Sequence, residues 1–370
     1  MIFSQVSQGN ESLSLILQLI YLAVFVPFMF YGQKIQTWTM LAEVGRAVNR
    51  LKAMKEVARQ TAITTIKESG KENIDPTPRI DHFLEYFTIM PTDLDPAGIV
   101  PKINHLIDVN NQRLEDEVKL LAPSADPIKA KNIEGILNHT TGLNEIYKIV
   151  NHYYLLGKKT MSVYIIMQVQ MQLPLIIPLA ESLSASIKAF AEGQPVGDGA
   201  GALVAAKMMY GSEKRRIAKD IVVAETRIEG RRVLVLKTEG PGVTVGKPGD
   251  GIKNLLEECE GKVAAVIMID AAGKLEGEKS GETAEGAGAA IGGIGVDKFI
   301  IEEITLKYNI PIHAVAIKES QEEALAPMTK AIFEGVDVAV ARVRRLISEN
   351  SKEDDTVIVA GIGNTVGIGQ

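Results

Sequence analysis

The stretch that decides the fold is the last one in the chain, "VIVAGIGNTVGIGQ" at residues 357–370. Residues 357–360 form a short apolar run typical of a buried strand, and glycines follow it at 361, 363, 367 and 369. Loops of this kind lie at the carboxyl end of a parallel strand and lead into a helix whose N-terminus faces a ligand. No helix follows here, so the rest of the site is expected elsewhere in the chain.

The stretch "QPVGDGAGALVAAKMM" at residues 194–209 has the complementary pattern. A glycine turn at 197–201 opens a predicted helix over 202–209, but no strand precedes it. We therefore expect the final strand to dock so that residues 361–367 lie against residues 197–201. The domain would then be circularly permuted, which folds tolerate because chain termini are often close in space. The candidate ligand-binding residues are Gly197, Gly199, Gly361, Gly363 and Asn364.

The C-terminal part, residues 194–370, reads as an α/β domain. Its predicted strands are 231–240, 262–271, 310–319 and 355–363, and its predicted helices are 250–260, 297–308 and 326–349. Strands that alternate with helices predict a mostly parallel sheet with helices on both faces, of the phosphorylase/hydrolase-like kind, with ligands at the carboxyl edge. The glycine-rich stretch at 271–295 has the composition of a mobile loop.

The N-terminal part contains an apolar segment, residues 12–32, that carries no charge over 21 residues. This length spans the hydrocarbon core of a bilayer. The alternative is a cleaved signal peptide, but no basic residue precedes Lys34 and large residues follow the apolar stretch. Basic residues cluster after the segment, which predicts a short outer tail at 1–11 and a cytoplasmic location for the remainder at the cell membrane.

Residues 33–193 read as a helical region. The spacing of Leu41, Val44, Val48 and Leu51 predicts an amphipathic helix over 36–67. We favour a helix that packs on its own domain, and the alternative is a coiled coil that pairs two copies into a homo-oligomer.

A second segment without charge lies at residues 161–180. It contains three glutamines and two prolines, which are costly against lipid, and a second crossing would export the rest of the chain. A buried core helix is therefore favoured over a membrane or re-entrant segment.

Composition excludes some classes of function. The net charge of −6 gives no electrostatic support for binding nucleic acid. The single cysteine, Cys259, excludes an internal disulfide, and neither it nor the five histidines show the spacing of a metal site.

Several stretches resemble a known fold. "GDGAGALVAAKM", "VIMIDAAGKLEGEKSGETAEGAG" and "GIGVDKFIIEEITLKYNIPIHAVAI" resemble parts of the germination protease and hydrogenase-maturation protease fold. That fold has a "GxGN" loop after its first strand and acidic residues after it, whereas "GIGN" at 361–364 comes last here. The whole chain also resembles an archaeal membrane-associated family described as domain of unknown function 1512, which carries no assigned activity.

The protease resemblance implies that Asp198 and Asp270 are the paired acids. Two carboxylates brought close together cannot both ionise cheaply, so they share a proton and activate water, or they hold a divalent metal. The competing interpretations are a helix N-cap for Asp198 and a solvated strand-end aspartate for Asp270. The expectation is a peptidase-like hydrolase domain acting on a peptide or protein, and the alternative is a non-catalytic membrane scaffold or ligand-binding module.

Overall fold

The computed structural model describes residues 2–69, 75–91, 98–293 and 295–370, without the side chains of 2–16, 26–31 and 33. The chain divides into two compact units. The first contains Met1–Ala53 with Glu145–Ile177, and the second contains Met54–Asn144 with Pro178–Gln370.

The described part before residue 194 is all-helical. Its helices are α1 (Ile2–Lys67), α2 (Thr77–Phe83), α3 (Ile99–Leu121), α4 (Pro127–Thr160) and α5 (Val163–Glu192). The helix predicted over 36–67 is the C-terminal half of α1. Its buried stripe within the first unit is Thr37, Met40, Val44, Val48 and Leu51. These side chains pack within the chain, as expected for a helix that belongs to its own domain.

The predicted membrane segment at 12–32 lies in α1, and most of its side chains are not described. None of the side chains of the predicted tail at 1–11 is described. Its described apolar side chains are exposed, among them Leu17, Tyr21 and Phe25. Among the residues whose side chains the structure describes, one helix is long and apolar enough to cross a membrane, and that helix is α5.

The prediction of a buried core helix over 161–180 is wrong. Only 17% of the most apolar window of α5 is buried. Its buried residues in this stretch are Ile166, Leu173 and Ala180, which recur every seventh position and form one narrow line of contact. Exposed side chains such as Met171 and Leu175 lie on the rest of the surface. The absence of charged residues shows that a helix is apolar, but it does not show which of its sides other parts of the protein cover.

The C-terminal domain is a mixed α/β domain built on one seven-stranded sheet. Its strands are β1 (Lys214–Ala218), β2 (Ile221–Ile228), β3 (Arg231–Thr238), β4 (Ala265–Gly273), β5 (Thr283–Ala287), β6 (Ile312–Glu319) and β7 (Thr356–Gly361). The order across the sheet is β1-β2-β3-β7-β4-β6-β5.

Half of the strand pairings are parallel. The four central strands, β3, β7, β4 and β6, run parallel, while β1, β2 and β5 pair antiparallel at the two sides. The four predicted strands are these four central ones. The mostly parallel sheet is corrected to a mixed sheet. Of the three added strands, β1 and β5 carry no apolar run, and β5 lies inside the stretch predicted as a loop. The third, β2, has an apolar run at residues 221–224 that was not among the predicted strands.

Helices cover both faces of the sheet. Their bounds are α6 (Ala200–Met208), α7 (Pro248–Glu258), α8 (Val296–Lys307), α9 (Gln321–Leu325) and α10 (Lys330–Asn350). One core joins α6 and α10 to side chains such as Val359, and the other joins α7 and α8 to side chains such as Ile358. Successive residues of β7 thus point into opposite cores, which is why its sequence is apolar over residues 357–360.

Because β7 lies fourth in a sheet of seven strands, we expect removal of the last fifteen residues, Thr356–Gln370, to abolish folding of the whole α/β domain. The loss would expose both cores and unpair two parallel neighbours. Limited proteolysis of the full chain and of the truncated chain checks this. A truncated domain that resists protease as the full chain does would contradict it.

Candidate acid site at the carboxyl edge of the sheet

The C-terminal tail lies directly against the glycine turn at 197–201, as the sequence predicts. The backbone N–H of Asn364 donates to a carboxylate oxygen of Asp198 at 3.0 Å. A Cβ atom added to Gly199 would lie 2.7 Å from the carbonyl oxygen of Asn364. A Cβ added to Gly201 would lie 2.5 Å from the carbonyl oxygen of Ile362. The two segments therefore meet backbone to backbone, without room for side chains.

Gly363 is the position where this contact most requires glycine. Its φ of +122° lies in a region that L side chains rarely adopt. A Cβ atom there would also overlap the carbonyl oxygen of Asp198. Both the conformation and the close approach therefore select glycine.

Asp198 lies in a short 3₁₀ turn, Gly197–Gly199, that precedes α6. The N-cap of α6 is Gly199, and no side chain caps this helix, so the N-cap interpretation of Asp198 is wrong. Burial raises the pKa of Asp198, and the N–H bond from Asn364 opposes that rise because it stabilises the charged form.

Asp270 lies near the end of β4 and is only 9% exposed. Its carboxylate accepts hydrogen bonds from the backbone N–H groups of Ala271 at 2.9 Å and Gly292 at 3.2 Å. Burial, and after it the negative charge of Asp198, raise the pKa of Asp270 from 3.8 to about 8. Asp270 is therefore not a solvated strand end, and the charge of Asp198 contributes to its raised pKa.

A third carboxyl group, Glu319, belongs to the same site and was missed by the sequence analysis. It ends β6, the strand next to β4, and is 3% exposed. Its Oε2 atom has no hydrogen-bond partner among the described residues. Burial and the charges of Asp198, Asp270 and Glu323 raise the pKa of Glu319 to about 8. The sequence feature that could have identified Glu319 is an acidic residue at the end of an apolar strand, the same feature that identified Asp270.

The neighbouring Glu323 has a structural role instead. It completes a capping box with Ser320 at the start of α9, and it also accepts from the hydroxyl of Ser280 at 2.5 Å. Gly197 lies in direct contact with Glu319, because a Cβ atom added at this position would overlap the Glu319 carboxylate. The turn that contains Asp198 therefore packs against Glu319.

Asn364 organises the tail rather than the acids. Its side-chain oxygen accepts from the N–H of Val366 at 2.9 Å, which is the Asx bond expected of an asparagine in a turn. With its side chain occupied in this way, Asn364 contributes its backbone N–H to the site.

Lys237, a buried lysine of the same sheet, forms no ion pair with the acids. Lys237 is fully buried on β3, level with Gly361, and burial lowers its pKa to about 8. Its ammonium donates to the carbonyl of Thr238 at 2.6 Å. Across the described residues, no Lys or Arg forms an ion pair with Asp198, Asp270 or Glu319. Among the described residues, therefore, no basic side chain balances the charge of the three acids.

The described side chains do not form a ready metal site. In the described ranges, no group of three or more His, Cys, Asp or Glu side chains is placed to hold a metal ion. The expectation that Asp198 and Asp270 bind a divalent metal therefore gains no support from the donor set. The arrangement suits the other expectation, in which buried carboxyl groups share protons.

Two family models match the chain. "Protein of unknown function (DUF1512) N-terminal domain" matches residues 18–193, and "Domain of unknown function (DUF1512) C-terminal" matches residues 196–369. Neither a curated protein nor a solved structure shows a significant match.

We expect Gly363→Ala to destabilise the α/β domain by about 2–4 kcal/mol, through backbone strain and overlap with the Asp198 carbonyl. Urea unfolding of the full chain in detergent measures the change. Gly369→Ala is the matched control, since an added Cβ there meets nothing within 4 Å, and we expect a change within about 0.5 kcal/mol. Equal stabilities of the two variants would contradict the close approach.

Asp270 should make the folded state less stable as the pH rises from about 4 to about 8. In this window the unfolded chain has lost the proton while the folded chain keeps it, so stability falls with rising pH. We expect Asp270→Asn to weaken this dependence, while the contributions of Asp198 and Glu319 remain, and to be more stable than wild type at pH 8 by on the order of a few kcal/mol. Thermal melts between pH 4 and 8 measure it, with the exposed Glu276→Gln as the control. A constant difference between Asp270→Asn and wild type across the window would contradict the raised pKa.

Proposed function

The chain belongs to the DUF1512 family, and we propose that it is a membrane-anchored cytoplasmic protein whose α/β domain hydrolyses a peptide-like bond with paired aspartates. The observation that carries the proposal is the coupled pair Asp198 and Asp270 at the carboxyl edge of the sheet. This edge is where open α/β sheets bind ligands.

The raised pKa values supply an acid and a base at neutral pH. Asp270, with a pKa of about 8, keeps its proton and donates to the carbonyl oxygen of the bond to be cleaved. Asp198, which accepts an N–H from Asn364, takes the ionised role and removes a proton from the attacking water. The C–N bond then breaks as the leaving nitrogen receives a proton from the acid pair.

Glu319 fits a role in holding the substrate. It is buried and one of its oxygens has no partner, so a backbone N–H or an amine of the substrate would satisfy it. A site with three acids and no paired cation favours a substrate portion that donates hydrogen bonds over an anionic one.

The relation to the germination protease fold is part of the same proposal. The contact between the tail and residues 197–201 supports it. In the protease fold, the first strand, its "GxGN" loop and the acid-bearing turn are consecutive in sequence. Here β7 and the "GIGN" loop are neighbours in space of the turn with Asp198, although they are far from it in sequence. In this interpretation the domain is a circular permutation.

The membrane anchor rests on the apolar segment at 12–32 and on the basic residues that follow it. Where the side chains of this segment are described, they are exposed, which suits a helix surrounded by lipid. The hydrolase domain is thereby held at the cytoplasmic side of the membrane.

The function is tested with the full chain in nanodiscs, incubated with a denatured proteome, by mass spectrometry of newly formed N-termini. We expect cleavage by wild type and by the Glu276→Gln control, with a loss of about 10²-fold or more in Asp198→Asn and Asp270→Asn. Activity should fall as the pH rises through about 8, because the acid loses its proton there.

Cleavage that persists in both aspartate variants would contradict the assigned site. A folded wild type that cleaves nothing would favour the alternative, a scaffold or ligand-binding module that uses the same cleft. Resistance to alkaline extraction from the membrane tests the anchor separately from the chemistry.

A further inference from the structure

The first unit contains a helical hairpin whose tip is basic and exposed. It is formed by the end of α4 and the start of α5, which pack closely enough that a Cβ added to Gly157 would lie 2.7 Å from Ile166. We define the hairpin tip as residues 158–164. Lys158, Lys159 and Tyr164 are exposed there.

The charge around the tip has one sign. Residues 146–180 contain three lysines and no aspartate or glutamate. Neither Lys158 nor Lys159 forms an ion pair with any residue that the structure describes. The tip is therefore a positive surface with an apolar margin that includes the exposed Leu155 and Met161.

Two contacts give the direction of the hairpin along α1. Glu68 pairs with Lys129 at 3.5 Å, and Gly45 packs against Tyr154, whose hydroxyl would lie 3.1 Å from an added Cβ. Earlier positions of α1 thus meet later positions of α4, and the two helices run antiparallel. The tip lies toward the N-terminal end of α1.

Helix geometry then gives the level of the tip. Thr160 is six residues beyond Tyr154, a rise of about 9 Å, which places it level with about residue 39 of α1. The predicted membrane segment ends at Gly32, about 10 Å further along α1. This separation is of the order of the headgroup layer, which adds roughly 5–8 Å to each side of the hydrocarbon core. Long lysine side chains reach across the remainder.

The single tryptophan lies at the same level. Trp38 is 68% exposed, and the neighbouring Ile35 is 58% exposed. Tryptophan is enriched at the interface between membrane and water, because its ring is apolar and its N–H is polar. A basic tip and an exposed tryptophan at one level match the surface of an anionic leaflet.

We propose that the hairpin tip and Trp38 rest on anionic lipid headgroups of the membrane that α1 enters. The inference rests on the proposed anchor and adds a second point of contact, so that α1 is held in a defined direction relative to the bilayer. Coulombic attraction of the two lysines and partial burial of the aromatic rings stabilise the contact.

The geometry also argues against a crossing by α5. The side-chain amide of Gln170 donates a hydrogen bond to the carboxylate of Glu43 at 2.5 Å. Glu43 lies on α1, beyond the end of the predicted membrane segment. The first half of α5 therefore runs beside the part of α1 that follows the membrane segment. Its apolar composition is then consistent with contact at the surface of the bilayer.

The test places a fluorescent label at the tip of the full chain, reconstituted in vesicles. In a Cys259→Ser background, Thr160→Cys carries an environment-sensitive label, and Ile149→Cys on the same helix is the matched control about 16 Å away. We expect a quencher attached to lipid headgroups to quench the label at 160 but not the label at 149. Quenching should be stronger with phosphatidylglycerol in the vesicles than with phosphatidylcholine alone.

A charge variant identifies the source of the contact. Lys158→Gln with Lys159→Gln should weaken the contact equilibrium about fivefold for each lysine in anionic vesicles. Lys188→Gln with Lys330→Gln, both at exposed positions elsewhere, should leave it unchanged.

Four outcomes would overturn the proposal. The first is no quenching at 160 in a chain that resists alkaline extraction, and the second is equal quenching in neutral and anionic vesicles. The third is quenching chiefly by acyl-chain quenchers, which indicates insertion of the tip. The fourth is label fluorescence that depends on protein concentration, which indicates contact with a second copy. Release of the chain by alkaline extraction would remove the anchor and the headgroup contact together, whereas the first outcome would remove the headgroup contact alone.

Discussion

The close approach of two glycine-bearing backbones is the constraint on which the rest of the α/β domain depends. The tail after β7 meets the turn at 197–201 without room for side chains, and Asn364 bonds Asp198 directly. Any larger residue at this contact would separate the tail from the turn and would move Asp198 away from Asp270. The packing of the fold and the electrostatic coupling of the site therefore have the same cause.

This contact also explains why the carboxyl groups stay buried. Charged groups are costly to remove from water, and three of them at one sheet edge would be expelled unless they kept protons or gained partners. Asp198 and Asp270 receive backbone N–H groups, while Glu319 keeps one oxygen without a partner. An arrangement that lowers stability at neutral pH is retained most readily where it serves chemistry or binding.

The sequence predicts those parts of the structure that depend on local pattern. The central strands β3, β4, β6 and β7 each contain an apolar run of at least four residues, and such runs indicate strands that are covered on both faces. The strands β1 and β5 were missed because they lie at the edges of the sheet, where half of each strand faces water.

The candidate site was only partly predictable for a related reason. Asp198 and Asp270 were found because they accompany glycine loops and a resemblance, whereas Glu319 has no motif around it and is recognised only by its neighbours in space. The first half of α5 was predicted as core because the sequence lacks charge there, yet burial depends on which neighbours arrive to cover it. The sequence pattern within one element predicts whether it is a helix or a strand, whereas contacts between elements far apart in sequence are seen only in the three-dimensional structure.

The position of β7 in the middle of the sheet also governs when the domain can form during synthesis. Ribosomes synthesise a protein from its N-terminus, so β7, which joins β3 to β4, emerges after the other six strands of the sheet. Until then the two sides of the sheet are separate, and their apolar faces stay open to chaperones. Chains that terminate before β7 would lack the joining strand and would not assemble the acid site.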